Sequence, residues 1–208
     1  EDATSFTLPL SLGFDVGRSS RLVFTAPLSY YRVANAKSYN ARLNLAWQIP
    51  FFSEAWYLTL SMGSGAAASP DLGGAGLMLA GSVTNHFRFF RGKSFGFGLG
   101  SMVGQYQTQK LKVGDLESDP QIKNTVLRNG LFFSINHPFL FGDVASEFFI
   151  VDTRFSGDQL FLESYHEFGI SMGSSKVRKK DGGGTRLGLT YLLADTMTGF
   201  TLNFGFGF

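Results

Sequence analysis

The chain ends in GFTLNFGFGF, residues 199 to 208. Phe200, Leu202, Phe204, Phe206 and Phe208 alternate with Thr201, Asn203, Gly205 and Gly207. Successive side chains take opposite faces only in an extended strand, so this segment carries large apolar groups on one face and small or polar groups on the other. The same period runs back through the chain. Phe6, Leu8, Leu10, Leu12, Phe14 and Val16 alternate with Thr7, Pro9, Ser11, Gly13 and Asp15. Tyr39, Ala41, Leu43, Leu45, Trp47 and Ile49 alternate with Asn40, Arg42, Asn44, Ala46 and Gln48. Alternation predicts further strands near 21–32, 56–68, 75–90, 95–108, 124–136, 144–154, 160–173 and 185–194. The pattern shows no helix, linker or domain boundary, and residues 1–208 are expected to form one domain.

Composition indicates which solvent each face meets. Of 208 residues, 44% are hydrophobic and 16% charged, with 23 Phe and 26 Gly. Soluble domains carry about a quarter charged residues. Net charge is +2, which gives no strong pull on nucleic acid. There are no cysteines, so disulfide and thiolate chemistry are excluded. No run of about 18 apolar residues is long enough for a membrane helix. The opening EDATS is not a signal peptide, so an exported protein would have this as its mature form. Alternating segments of about ten residues, separated by turn residues, are the signature of a transmembrane β-barrel. Soluble barrels alternate too. The low charge, a polar face of Gly, Ser, Thr and Asn, and Trp47, Trp56, Tyr39 and Tyr30 near segment ends favour the membrane. The expected fold is all-β: a single closed antiparallel transmembrane β-barrel. About eleven segments are visible, whereas bacterial single-chain barrels have even strand numbers, so twelve strands are expected and ten are the alternative. Pro9 and Pro27 each remove a ladder hydrogen bond and predict a weak or bulged region near the barrel seam.

The terminal segment resembles the last strand of Gram-negative outer-membrane β-barrel proteins, which typically ends in Phe. The resemblance implies an outer-membrane location in a Gram-negative bacterium, surrounding lipid and lipopolysaccharide, and recognition of the last strand by the barrel-assembly machinery. The positions concerned are Phe200, Leu202, Phe204, Phe206 and Phe208. The last hairpin, GTRLGLTYLLADTMTGFTLNFGFGF, also resembles autotransporter-type translocator barrels that stand alone without a passenger. No pore-plugging helix precedes the barrel pattern, which argues against a working translocator.

Asp15, Arg42, Arg128, Glu147, Glu163, Glu167 and Arg186 fall on the polar face and are the candidate lumen-lining charges. They could pair with one another or select solutes. Of the histidines, His166 reads first as a tolerated polar residue near the membrane interface. The alternative is a base for Ser164 or Ser171, in a lipid-modifying enzyme that would have His166 or His86 at its centre. Glu167 cannot serve His166 within the strand, because neighbouring side chains point apart. Lys176, Arg178, Lys179 and Lys180 could meet lipid phosphates or form a solvated turn. GKS at 92–94 lacks the first glycine of a phosphate loop, where Phe87 stands. No metal or cofactor site is expected. The leading function is a passive, porin-like channel for small hydrophilic solutes, formed by a monomer. A structural or interaction barrel without transport comes second, and a lipid-modifying enzyme third.

Deleting Phe208 is expected to impair assembly more than stability. Full burial of a Phe is worth about 1.5–3 kcal/mol, and an interfacial ring contributes less. Refolding into detergent should give near-normal yield with a small drop in denaturant midpoint, whereas outer-membrane levels in cells should fall sharply.

Overall fold

The computed structural model describes residues 2–8, 10–17, 20–33, 36–51, 55–69, 74–91, 94–113, 116–118, 121–137, 144–174 and 185–206. Among them every regular element is a strand: β1 (Asp2–Leu8), β2 (Ser11–Val16), β3 (Ser20–Thr25), β4 (Leu28–Val33), β5 (Ala36–Phe51), β6 (Trp56–Ser69), β7 (Gly74–Arg91), β8 (Phe95–Gln109), β9 (Leu111–Val113), β10 (Leu116–Ser118), β11 (Lys123–His137), β12 (Val144–Gly157), β13 (Ser164–Ser174), β14 (Thr185–Leu193) and β15 (Thr198–Phe206). β9 and β10 form a small separate hairpin. The others join into one closed barrel.

The first two staves are each broken. β1 and β2 share one, and β3 and β4 share the next, since β1 pairs with β4, β2 with β3, and both β3 and β4 with β5. Pro9, at the first break, lies outside the described residues. Pro27, at the second, has no N–H to donate. The ladder is carried across by other groups: Ala26 N donates to Leu10 O at 2.8 Å, and Arg42 N donates to Pro27 O at 3.1 Å.

The barrel therefore has eleven staves, between the ten and twelve expected. Pairing is antiparallel from the first stave to the last, and the ring closes where β1 meets β15 in parallel, from Asp2 opposite Thr198 to Thr7 opposite Asn203. With an odd number of staves the first and last run in the same direction, so the closing pair has to be parallel. An even count is needed only if every pair is antiparallel.

The faces are inverted relative to a soluble protein. Among the described residues only Ala46 and Ala145 are buried hydrophobics, whereas Asn124, Ser146, Thr153, Ser171 and Thr190 are buried polar residues. The large apolar side chains point outward, with Leu43 66% and Met62 67% exposed. They cover contiguous strands, far beyond the scattered exposed apolar residues normal for a soluble surface. Outward aromatic contacts gather at both barrel ends. Where β15 finishes, Trp56 lies 4.8 Å from Phe51 and stacks on Phe87 at 5.2 Å. At the opposite end, which carries the 110–122 link, Tyr30 meets Tyr39 at 5.4 Å.

Leu45 lies mid-strand on the outer face, opposite Phe24 and Met62, while Asn44 faces inward beside Gly63. Leu45→Arg should cost roughly 2–4 kcal/mol in detergent or lipid folding titrations, the depth-dependent cost of a cation facing hydrocarbon. Asn44→Arg should cost far less. Heat-modifiable gel migration should report the same order.

Candidate functional site

The inner wall divides into two chemically different halves. On the β11–β14 side the charges are paired. Arg128 Nη2 meets Glu167 Oε2 at 2.5 Å. Arg186 Nη1 donates to Ser171 Oγ at 3.0 Å and stands 3.6 Å from Glu147 Oε2. These contacts tie β11 to β13 across β12, and β14 to β13 and β12. Pairing offsets part of the desolvation that each charge meets inside the barrel. Phenylalanine rings fill the same wall: the Phe149 ring covers Gly169 and the Phe132 ring covers Gly98, both places where a Cβ would collide with the ring.

On the β2–β7 side the inward charges are mostly cationic. Arg21 lies opposite Asp15 and folds over Gly13. Arg42 lies against Gly65. Arg88 places its guanidinium carbon 5.0 Å from the centroid of the Tyr57 ring. His86 packs edge-on against Phe132 at 4.3 Å. Among the described residues, Asp15 is the only acidic side chain on the inner face of β1–β8.

Of the seven charges expected to line the lumen, Asp15, Arg42, Arg128, Glu147, Glu167 and Arg186 sit on inward positions of β2, β5, β11, β12, β13 and β14. Four of these meet as two pairs. Glu163 lies just before β13 begins, where its carbonyl accepts from Phe155 N at 2.8 Å. Arg21 and Arg88 also take inward positions, a phase that alternation in their strands carries. Phe200 and Leu202 face outward, 58% and 48% exposed. Phe204 and Phe206 lie in β15 opposite Leu187 and Thr185. Phe208 and the basic run Lys176, Arg178, Lys179 and Lys180 lie outside the described residues.

The outer face holds a second feature. Asn85, Ser101, Asn129, Asp152 and His166 stand directly opposite one another across β7, β8, β11, β12 and β13. All five are in phase with outward apolar residues such as Val83, Val103, Leu131, Ile150 and Phe168. Trp56 Nε1 donates to Asn85 Oδ1 at 3.2 Å, and Ser101 Oγ to Asn129 Oδ1 at 2.8 Å. At the far end of the row, Asp152 joins two partners. Arg154 Nε donates to Asp152 Oδ2 at 3.0 Å, and His166 Nδ1 stands 3.2 Å from Asp152 Oδ1 without full hydrogen-bond alignment. Ser164, exposed and outward, lies opposite Arg154. At the other barrel end His137 Nε2 is 2.9 Å from Ser146 Oγ, but that serine is buried.

The sequence matches no known protein family and no curated protein. Among solved structures it is similar to the crystal structure of the β domain of the Bordetella autotransporter BrkA, with a TM-score of 0.63 and 15% identity, covering 97% of this chain and 87% of that one. The chain has the fold of an autotransporter β domain.

Gly169→Ala is expected to destabilise the barrel by about 1–3 kcal/mol, because the Phe149 ring occupies the space of the new methyl group. Gly76→Ala, where nothing lies within 4 Å, should be near neutral. Denaturant midpoints of the two refolded variants check this difference.

Proposed function

We propose that the protein is a monomeric outer-membrane β-barrel that passes small hydrophilic solutes passively and prefers anions. The outward apolar face, the aromatic contacts at both ends and the likeness to an autotransporter β domain support the membrane setting. The observation that carries the channel reading is the inner wall. It is built largely of glycine, serine, threonine and asparagine, and among the described residues the cations Arg21, Arg42 and Arg88 meet only one inward carboxylate, Asp15, on the β2–β7 side. An eight-stranded barrel fills its interior with side chains, and eleven staves leave more room. A pore wall with excess cationic charge lowers the barrier for anions and raises it for cations. During biogenesis the last strand, Phe200 to Phe208, is the segment that the assembly machinery reads, and lipid with lipopolysaccharide surrounds the finished barrel.

The second reading is a structural or interaction barrel of the passenger-free autotransporter type. It is supported by the likeness of fold and by the β11–β14 wall, where ion pairs and phenylalanine rings brace the barrel.

In planar bilayers the refolded protein is expected to give discrete conductance steps, and a KCl gradient should give a reversal potential on the chloride side. Arg42→Glu should move that potential toward cation preference without loss of folding. A folded protein that does not conduct would favour the structural barrel.

A further inference from the structure

We infer that Ser164, His166, Asp152 and Arg154 form a hydrolytic site for the acyl ester of a membrane lipid. This inference rests on the outer face lying in a bilayer and does not need the lumen to conduct. The four residues make a compact square on the outer face. Ser164 and His166 are same-face neighbours on β13, Asp152 and Arg154 are same-face neighbours on β12, and the register sets Arg154 opposite Ser164 and Asp152 opposite His166. His166 Nδ1 is turned to Asp152 at 3.2 Å, which leaves Nε2 as the nitrogen that can take a proton. Same-face neighbours on a strand stand roughly 6.6 Å apart; Ser164 and His166 are not hydrogen-bonded in this structure, so the imidazole has to lean along the strand to reach the serine when substrate binds. Arg154 is held through Nε by Asp152, and its other N–H groups remain on the exposed side.

Beside the square is an open apolar groove of about 550 Å³, lined mostly by outward residues such as Leu131, Phe133, Phe148, Ile150, Phe168 and Ile170, with the inward Phe132, Phe149 and Gly169 at its floor. Ile150 and Phe168 are one same-face step from Asp152 and His166, away from the barrel rim. Polar groups at the rim and an apolar groove running inward follow the order of a lipid's own parts: headgroup and ester outermost, acyl chain below. The occupant of the groove is therefore an acyl chain. His137 and Ser146 do not compete for this role, because Ser146 is buried and cannot meet a substrate.

The chemistry balances without a further reactant except water. Ser164 Oγ adds to the ester carbonyl carbon while its proton passes to His166 Nε2. Arg154 N–H groups meet the developing oxyanion. The adduct collapses, the acyl C–O bond breaks, and the leaving alkoxide takes the proton from His166. Water then attacks the acylated Ser164 in the same way, releasing a fatty acid and restoring the serine. Asp152 is a positioning residue that fixes the tautomer and direction of the imidazole.

The test uses the full chain refolded in detergent, given mixed micelles of a diacyl phosphatidylglycerol in one arm and lipopolysaccharide in the other, with released fatty acid as the readout. Release in one arm identifies the lipid. Ser164→Ala and His166→Asn should each reduce it at least 100-fold while heat-modifiable migration is kept. Asp152→Asn should lower kcat with KM unchanged, and Asp152→Glu should restore part of it. No release from either lipid, or release that Ser164→Ala and His166→Asn leave intact, overturns the inference. A chain that stays soluble without detergent would instead remove the bilayer setting itself.

Discussion

Closure of the ring is the constraint on which the rest depends. Hydrocarbon offers no partner for a backbone N–H or C=O, so a strand assembly can sit in a bilayer only if its last edge meets its first. Here that junction is short and parallel, six residues of β1 against six of β15. Parallel pairing is slightly less stable per residue than antiparallel pairing. The neighbouring stave is also broken, at Pro27, and the seam strand gives way to β2 after Leu8. The weakest hydrogen bonding of the barrel is therefore concentrated on one side, and long uninterrupted strands such as β7 and β8 hold the other.

Once the ring is closed, register decides what can meet. Each row of opposed residues crosses neighbouring strands at a fixed height along them, so side chains far apart in sequence become neighbours. Arg128 and Glu167 are 39 positions apart, yet they meet inside. Asp152 and His166 meet outside by direct pairing. Neither contact depends on a loop. Both are set by strands whose backbone is hydrogen-bonded on each side, which gives them the rigidity that a selective wall or an acid–base pair needs.

The period-two pattern made much of this legible. The fold class, the direction of the apolar face and nearly every strand follow from alternation, because one face must be apolar and the other need not be. Strand number was visible as eleven segments, but expectation moved it to an even value, since parallel closure leaves no trace in local sequence. Glu163 was assigned to a strand that begins only at Ser164, a boundary set by where Arg154 finds its partner. The outer row was legible in part: Asn85, Ser101, Asn129, Asp152 and His166 each break an apolar phase within a single strand. Their alignment was not legible, because pairing register is a property of two strands and no single strand encodes it. For the same reason the sequence excludes Glu167, next in the chain, as a partner for His166 but does not reveal Asp152, next in space.

His166 and Glu167 show how far the two faces are separated. They are consecutive, yet one belongs to the outer polar row and the other to the inner ion pairs. Polar groups facing hydrocarbon are costly, and charged ones more so. The inner charges avoid most of that cost by facing a polar interior. Asp152 lies on the other face, where among the described residues Arg154 and His166 stand beside it and offset its charge. Uncharged outward residues on these strands would give the same barrel with a smaller penalty. A conducting lumen does not require the outer cluster, and ring closure does not require it either. A charged cluster that neither ring closure nor a conducting lumen requires is the physical reason to assign the outer face chemistry of its own.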